Sequence, residues 1–365
     1  MLSKKHELIS KLVTLTFIFI FHCQFFSPVS VLASVEKNDS NLNAELKALR
    51  LDRYMGIKHI RHESNWNDPF WEMYYYHPDD CKCIFGSEYL VATSRVRRSK
   101  NVVFYLEGGG ACWPGEDDCT KKVSPDEVLD GRRIIPLQSW NHIYVPYCDG
   151  SVHMGDSEED RDGDGNPDFW YWGLRTTSAA VALMQELYPN PEKILIAGTS
   201  AGGYGTVIAT MLIRLQFSKS RLYVLNNAGP GLRKPEDSET WEKIENAWNI
   251  KQFFPSDCTK CDDQLIYLYE WMLEKDDKLK IGVVTSYEDQ TISESFLRMN
   301  PKNFKNLLIC ATDSIRERHP DTFKRFFIKG NIHGVPNSYD VKGITLGKWI
   351  KFLVNDSEKW IDILE

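Results

Sequence analysis

Basic charge is in short supply along this 365-residue chain: 44 Lys and Arg stand against 51 Asp and Glu, for a net charge of −7. Without a basic stripe, nucleic acid and anionic membrane surfaces are excluded as natural partners. No G-x-G-x-x-G opens a helix after an early strand, and no Walker lysine follows the glycine-rich loop near residue 200, so nucleotide-binding folds lose their support. Internal repeats and low-complexity stretches are missing too. Long apolar runs are confined to the N-terminus, where Leu12 to Phe26 follow Lys4, Lys5 and Lys11 and precede Val31-Leu32-Ala33. That run is too short and interrupted for a membrane span and reads as a signal peptide over residues 1–33. The bulky His22 before Cys23 argues against lipoprotein processing. Cleavage after Ala33 removes three Lys and one Glu, leaving −9 and no stable membrane span, which predicts a secreted or extracytoplasmic protein.

Nine cysteines less Cys23 leave eight, an even number in an exported chain, which implies a disulfide framework. Cys112 and Cys119 are close enough to close a small loop. Cys258-x-x-Cys261 has no second C-x-x-C or paired histidines to make a zinc site, so it reads as a structural disulfide. Cys81, Cys83, Cys148 and Cys310 supply the rest. Residues 34–50 form a polar leader, and 51–365 a single domain. Within it, apolar β-like runs at Val102–Leu106, His142–Tyr147, Ile194–Ala197, Leu222–Leu225, Ile281–Thr285 and Phe323–Ile328 alternate with helical patterns at Thr176–Leu187, Tyr204–Phe217, Leu265–Glu274 and Thr345–Val354. Such alternation predicts the α/β class, with a mostly parallel central sheet covered by helices on both faces.

The most informative segment is Gly198-Thr199-Ser200-Ala201-Gly202-Gly203. A β run, then Gly-x-Ser-x-Gly, then an apolar helix describes a nucleophile elbow, in which the serine sits on a strained turn. The turn lifts the Ser200 hydroxyl above the sheet and sets the Ala201 N–H at a helix N-terminus, where developing negative charge is stabilised. A serine hydroxyl needs a base, and the base needs an orienting group. Downstream, the strand Ile281–Thr285 runs into Ser286-Tyr287-Glu288-Asp289, which offers Asp289 as the acid, with Glu288 as the near alternative. Only His319 and His333 lie beyond it. His319 sits in a charged loop before a strand, whereas His333 follows the last strand, the placement a base requires. A second glycine run, Gly108-Gly109-Gly110, ends the strand Val102–Leu106, and the N–H groups of Gly109 and Gly110 would complete an oxyanion hole with Ala201.

Phe104-Tyr-Leu-Glu-Gly-Gly-Gly-Ala-Cys112, Val145-Pro-Tyr-Cys-Asp-Gly150 and Ala197-Gly-Thr-Ser-Ala-Gly-Gly-Tyr-Gly205, with the Asp289 turn and the His333 loop, together resemble the pectin acetylesterase / Notum family of carboxylesterases. The resemblance spans residues 80 to 355. It implies an α/β-hydrolase-like fold, a Ser200–Asp289–His333 triad, an oxyanion hole from Gly109, Gly110 and Ala201, and ester deacylation with no catalytic cofactor. In the animal Notum branch an aromatic residue stands where this chain has Gly110, and a deep apolar pocket takes a lipid acyl chain. Gly110 resembles the sugar-ester branch instead.

One insertion does not belong to that pattern. Asp156–Asp168 places Asp160, Asp162, Asp164, Asn166 and Asp168 at alternating positions with glycines between, which suits a calcium loop, although Tyr171 stands where an EF-hand has its bidentate acid. A calcium ion there would be structural. Trp66 to Trp71, Tyr74-Tyr75-Tyr76, Trp113, Trp170 and Trp172 could stack on sugar rings or wall an acyl pocket, and core packing accounts for most of them equally well. The leading expectation is a secreted serine carboxylesterase that deacetylates a polysaccharide such as pectin. A lipid or lipoprotein deacylase and a non-catalytic, calcium-stiffened glycan-binding protein are the alternatives.

Overall fold

The structure is a computed structural model that describes residues 39–64, 70–123, 135–235 and 237–365. The signal-peptide reading over 1–33 and Trp66 lie outside the described residues. Side-chain alternation dictates the core. In β4 (Asn101–Leu106), Val102, Phe104 and Leu106 face one layer, while Val103 and Tyr105 face the other. In β8 (Lys193–Thr199), Ile194 and Ile196 separate from Leu195 and Ala197 in the same way. Both strands are buried on two faces, as the period of two requires in a sheet covered on both sides.

The remaining strands are β1 (His59–Ser64), β2 (Glu72–Tyr76), β3 (Leu90–Ser94), β5 (Asn141–Val145), β6 (Ser157–Glu159), β7 (Phe169–Tyr171), β9 (Arg221–Asn227), β10 (Leu279–Ser286), β11 (Phe323–Ile328), β12 (Asp340–Val341), β13 (Ile344–Thr345) and β14 (Ile363–Leu364). Ten of them form one sheet in the order β1-β2-β3-β5-β4-β8-β9-β10-β11-β14. From β5 to β14 all neighbours run parallel, and β1, β2 and β3 extend the sheet antiparallel. The expected α/β-hydrolase-like, mostly parallel sheet is what the chain builds.

Helices α1 (Asp39–Ala48), α2 (Gly173–Leu187), α3 (Ala201–Gln216), α4 (Ser238–Trp248), α5 (Tyr267–Lys275), α6 (Pro301–Arg318) and α7 (Leu346–Val354) complete the fold. The stretch read as a polar leader holds α1, in which Leu42 and Leu46, one turn apart, are buried in the core. On the first face α3 is buried along nearly its whole length, and on the opposite face α7 packs Trp349 over the sheet. Disulfides join Cys112 to Cys119, Cys258 to Cys261 and Cys83 to Cys148. Cys81, expected in a bridge, is instead a buried free thiol, and its burial pushes the thiol pKa far above its ordinary value.

Candidate active site

The C-terminal ends of β4, β8, β10 and β11 meet at one rim. At the end of β8 the chain turns into α3 through Ser200, which adopts φ 59° and ψ −120°. A non-glycine residue pays strain there, and the surroundings hold it: the Ser200 N–H donates to the Asn227 carbonyl at 2.9 Å. Small neighbours are obligatory. A Cβ on Gly202 would run into the carbonyl oxygens of Leu106 and Glu107. Ala201 is the first residue of α3, so its N–H has no carbonyl one turn back in the helix.

Asp289 lies three residues beyond the end of β10 and is fully buried. Its Oδ1 accepts from the Ile292 N–H at 3.0 Å. His333, a quarter exposed, lies in the loop after β11, and its Nδ1 is 3.0 Å from both Asp289 oxygens. Asp289 is therefore the carboxylate that meets His333. Glu288 serves through its main chain, donating to the Gly330 carbonyl at 3.1 Å. Further bonds join the two loops: Gln290 N–H to Asn331 O at 3.2 Å, Asn331 Nδ2 to Gln290 Oε1 at 3.2 Å, and Ser286 Oγ to Ile332 O. Asn227, at the end of β9, fastens this assembly to the serine turn. Its side chain accepts from Val335 N–H and donates to Val335 O, both at 3.0 Å, while its carbonyl holds Ser200. A Cβ on Gly334, next to His333, would touch the Thr199 side chain, next to Ser200.

Ser200, Ala201, Gly109 and Gly110 line one cavity of about 280 Å³. Its apolar wall comes from Trp113, Val152, Tyr204, Ile292 and Phe296, with the Phe296 ring edge-on to both Trp113 and Tyr204. Glu116 and Asp118 add carboxylates to the lining. The two glycine amides differ. Gly110 N–H donates to Thr120 Oγ1 at 3.3 Å, and its Cβ position is blocked by the Asp118 carbonyl and Cys119 Cα of the Cys112–Cys119 loop. An aromatic side chain at residue 110 would not fit unless that loop moved.

The acidic insertion lies in the β6–β7 connection. Asp160, Asp162 and Asp168 bring one carboxylate oxygen each within 4.8 Å of one another. Asp164 lies outside that trio, and its Oδ1 accepts from the Asn166 main-chain and side-chain amides at 2.7 and 3.1 Å.

Residues 136–311 match the family model described as Pectinacetylesterase, a span that includes Ser200, Ala201 and Asp289. Over that segment, just under half of its length, the chain resembles the pectinacetylesterase family. It is a carboxylic ester hydrolase. Among solved structures the esterase is similar to the Wnt deacylase Notum from Drosophila, with a TM-score of 0.55 and 16% identity, over 78% of this chain and 92% of that one. At that identity the likeness shows a shared fold. No curated protein matches the esterase in sequence.

Sequence reasoning about the esterase missed Asn227, Thr120 and the Phe296 wall. Asn227 carried a faint signal as a polar residue ending a buried strand. Thr120 and Phe296 carried none, since only the fold brings them to the glycine loop and the cavity. Of the aromatics noted in the sequence, Trp113 reaches the cavity, whereas Tyr74, Tyr75 and Tyr76 are buried in β2.

Proposed function

We propose that this esterase works outside the cytoplasm and removes acyl groups, acetyl foremost, from a polysaccharide such as pectin through an acyl-enzyme on Ser200. The observation that carries the reading is the Asp289–His333 pair fastened through Asn227 to the Ser200 turn. Asp289 holds His333 with its proton on Nδ1, leaving Nε2 free to take the Ser200 proton as Oγ attacks the ester carbonyl. The oxyanion then forms beside the N–H groups of Ala201 and Gly109, with Gly110 recruited if it leaves Thr120. His333 returns the proton to the departing sugar oxygen, and water, activated by the same imidazole, releases the carboxylic acid. No step uses a cofactor.

Extracytoplasmic location is supported by the N-terminal sequence and by the disulfides, which persist in oxidising compartments. No helix of the described residues is long and apolar enough to cross a membrane. Hydrolysis of p-nitrophenyl acetate tests the chemistry. Ser200→Ala should lose at least about 10³-fold in kcat, and equal turnover by parent and variant would return the protein to a glycan-binding role. A second reading has its own support: the aromatic wall of the cavity suits a longer acyl chain, as in a lipid or lipoprotein deacylase. Octanoate or palmitate esters turned over faster than acetate would favour it.

A structural calcium ion at Asp160, Asp162 and Asp168 belongs to the same proposal, since three hard carboxylate oxygens close together suit that ion. Saturating calcium should raise the melting midpoint by about 5 °C. Asp162→Asn should abolish the rise in a calorimetric scan, and a midpoint indifferent to calcium and chelator would discard the ion.

A further inference from the structure

One buried titratable side chain beside the site has no part in the mechanism above. His153 lies in the loop after β5, fully buried, in the left-handed region with φ 64° directly after Val152 at φ 50°. Val152 lines the cavity. His153 Nε2 lies 2.8 Å from the Glu107 carbonyl oxygen, which can only accept, so Nε2 carries the proton. Its Nδ1 is 3.9 Å from Asp149 Oδ2, beyond hydrogen-bond reach. Burial pushes the imidazole pKa down, against the pull of Asp149 and the Glu107 carbonyl. In either protonation state Nε2 donates to Glu107.

The carbonyl that His153 holds belongs to the peptide entering Gly108-Gly109-Gly110. The same oxygen is within 2.6 Å of a Cβ placed on Gly202 in the first turn of α3, and a Cβ on Gly108 would lie 3.0 Å from Ser200 Cβ. The Glu107 peptide is thus the seam between the oxyanion loop and the nucleophile turn. His153 is itself anchored. Its N–H donates to Asp149 Oδ1 at 3.2 Å, its carbonyl accepts from Thr177 Oγ1 at 3.1 Å, and Gly205 of α3 packs on its Cβ and ring. Two strained residues in succession are kept where a relaxed loop would withdraw this donor.

We propose that His153 is a positioning residue of the oxyanion hole: by donating from Nε2 to the Glu107 carbonyl it fixes the Glu107–Gly108 peptide, the start of the turn from which the next peptide aims the Gly109 N–H at the reacting carbonyl oxygen. The inference rests on the oxyanion reading given above, and Ser200→Ala tests that reading separately.

Two amide substitutions isolate the bond. His153→Gln places its Nε2 near the lost ring Nε2 and can still reach Glu107; His153→Asn tolerates the left-handed backbone but is too short to reach. Rates on p-nitrophenyl acetate are expressed per site titrated by a fluorophosphonate, so misfolded molecules drop out. His153→Asn should lower kcat about 10- to 100-fold with KM within about twofold, and should weaken a trifluoromethyl ketone inhibitor in the same proportion as kcat/KM. His153→Gln should return kcat to within about threefold of the parent. Equal rates in all three proteins, equal damage in both variants, or a loss carried wholly by KM would each overturn the proposal. If Ser200→Ala stays as active as the parent, the oxyanion reading itself has failed.

Discussion

Asp289→Asn yields a folded protein whose kcat falls by about 10³- to 10⁴-fold while KM changes little. The isosteric amide keeps an oxygen for the Ile292 N–H, so the turn after β10 survives. Its NH2 group, however, faces His333 Nδ1, which then must accept rather than donate. The imidazole proton moves to Nε2, the nitrogen required to receive the Ser200 proton, and the base is disabled in its resting form. Glu288→Gln is the matched comparison, because Glu288 supports the His333 loop through its main chain, and it should stay within about twofold of the parent. Steady-state kinetics on nitrophenyl acetate with melting curves for all three proteins provide the check. A parental rate for Asp289→Asn would remove Asp289 from the chemistry.

The largest effect on stability is expected from Arg214→Met. Arg214, in the last turn of α3, is buried, and its Nε lies 2.6 Å from Asp276 Oδ2, with both side chains almost wholly out of solvent. The same guanidinium donates to the carbonyls of Phe217, Ser218 and Ser220 at 3.0, 3.1 and 2.9 Å, in the turn that follows the helix. Removing it strands a buried carboxylate and takes the donor from that turn, which costs about 3–5 kcal/mol. In a domain of this size the melting midpoint should fall on the order of 10 °C. Adding Asp276→Leu should recover part of the loss by removing the orphaned charge. A midpoint within a degree of the parent would show that water reaches the pair.

Those two sites differ in how plainly the sequence announces them. Ser200, Asp289 and His333 were legible because each stands where a β run ends in a small or polar turn, the place where parallel sheets carry their chemistry. The six parallel strands from β4 to β11 were legible for a related reason: buried on both faces, they read as mainly apolar runs. By contrast, β1 has an exposed run of His, Arg and Glu that only its pairing with β2 makes a strand. Helix α6 carries an Asn300 cap, Pro301 at its start and a buried face of Phe304, Leu308, Ala311 and Ile315, yet the charges between them dilute the pattern. Arg214 reads as an ordinary surface cation until Asp276 is brought to it from 62 positions away.

The large sheet ends in two unlike borders. At one border β1 presents His59, Arg61, His62 and Glu63, with Arg61 paired to Glu88 across the surface, and at the other β14 is only two residues long. An incoming strand would have to desolvate ionic groups on one side and would find almost no ladder on the other. Copies of the enzyme at high local concentration are therefore held back from polymerising edge to edge.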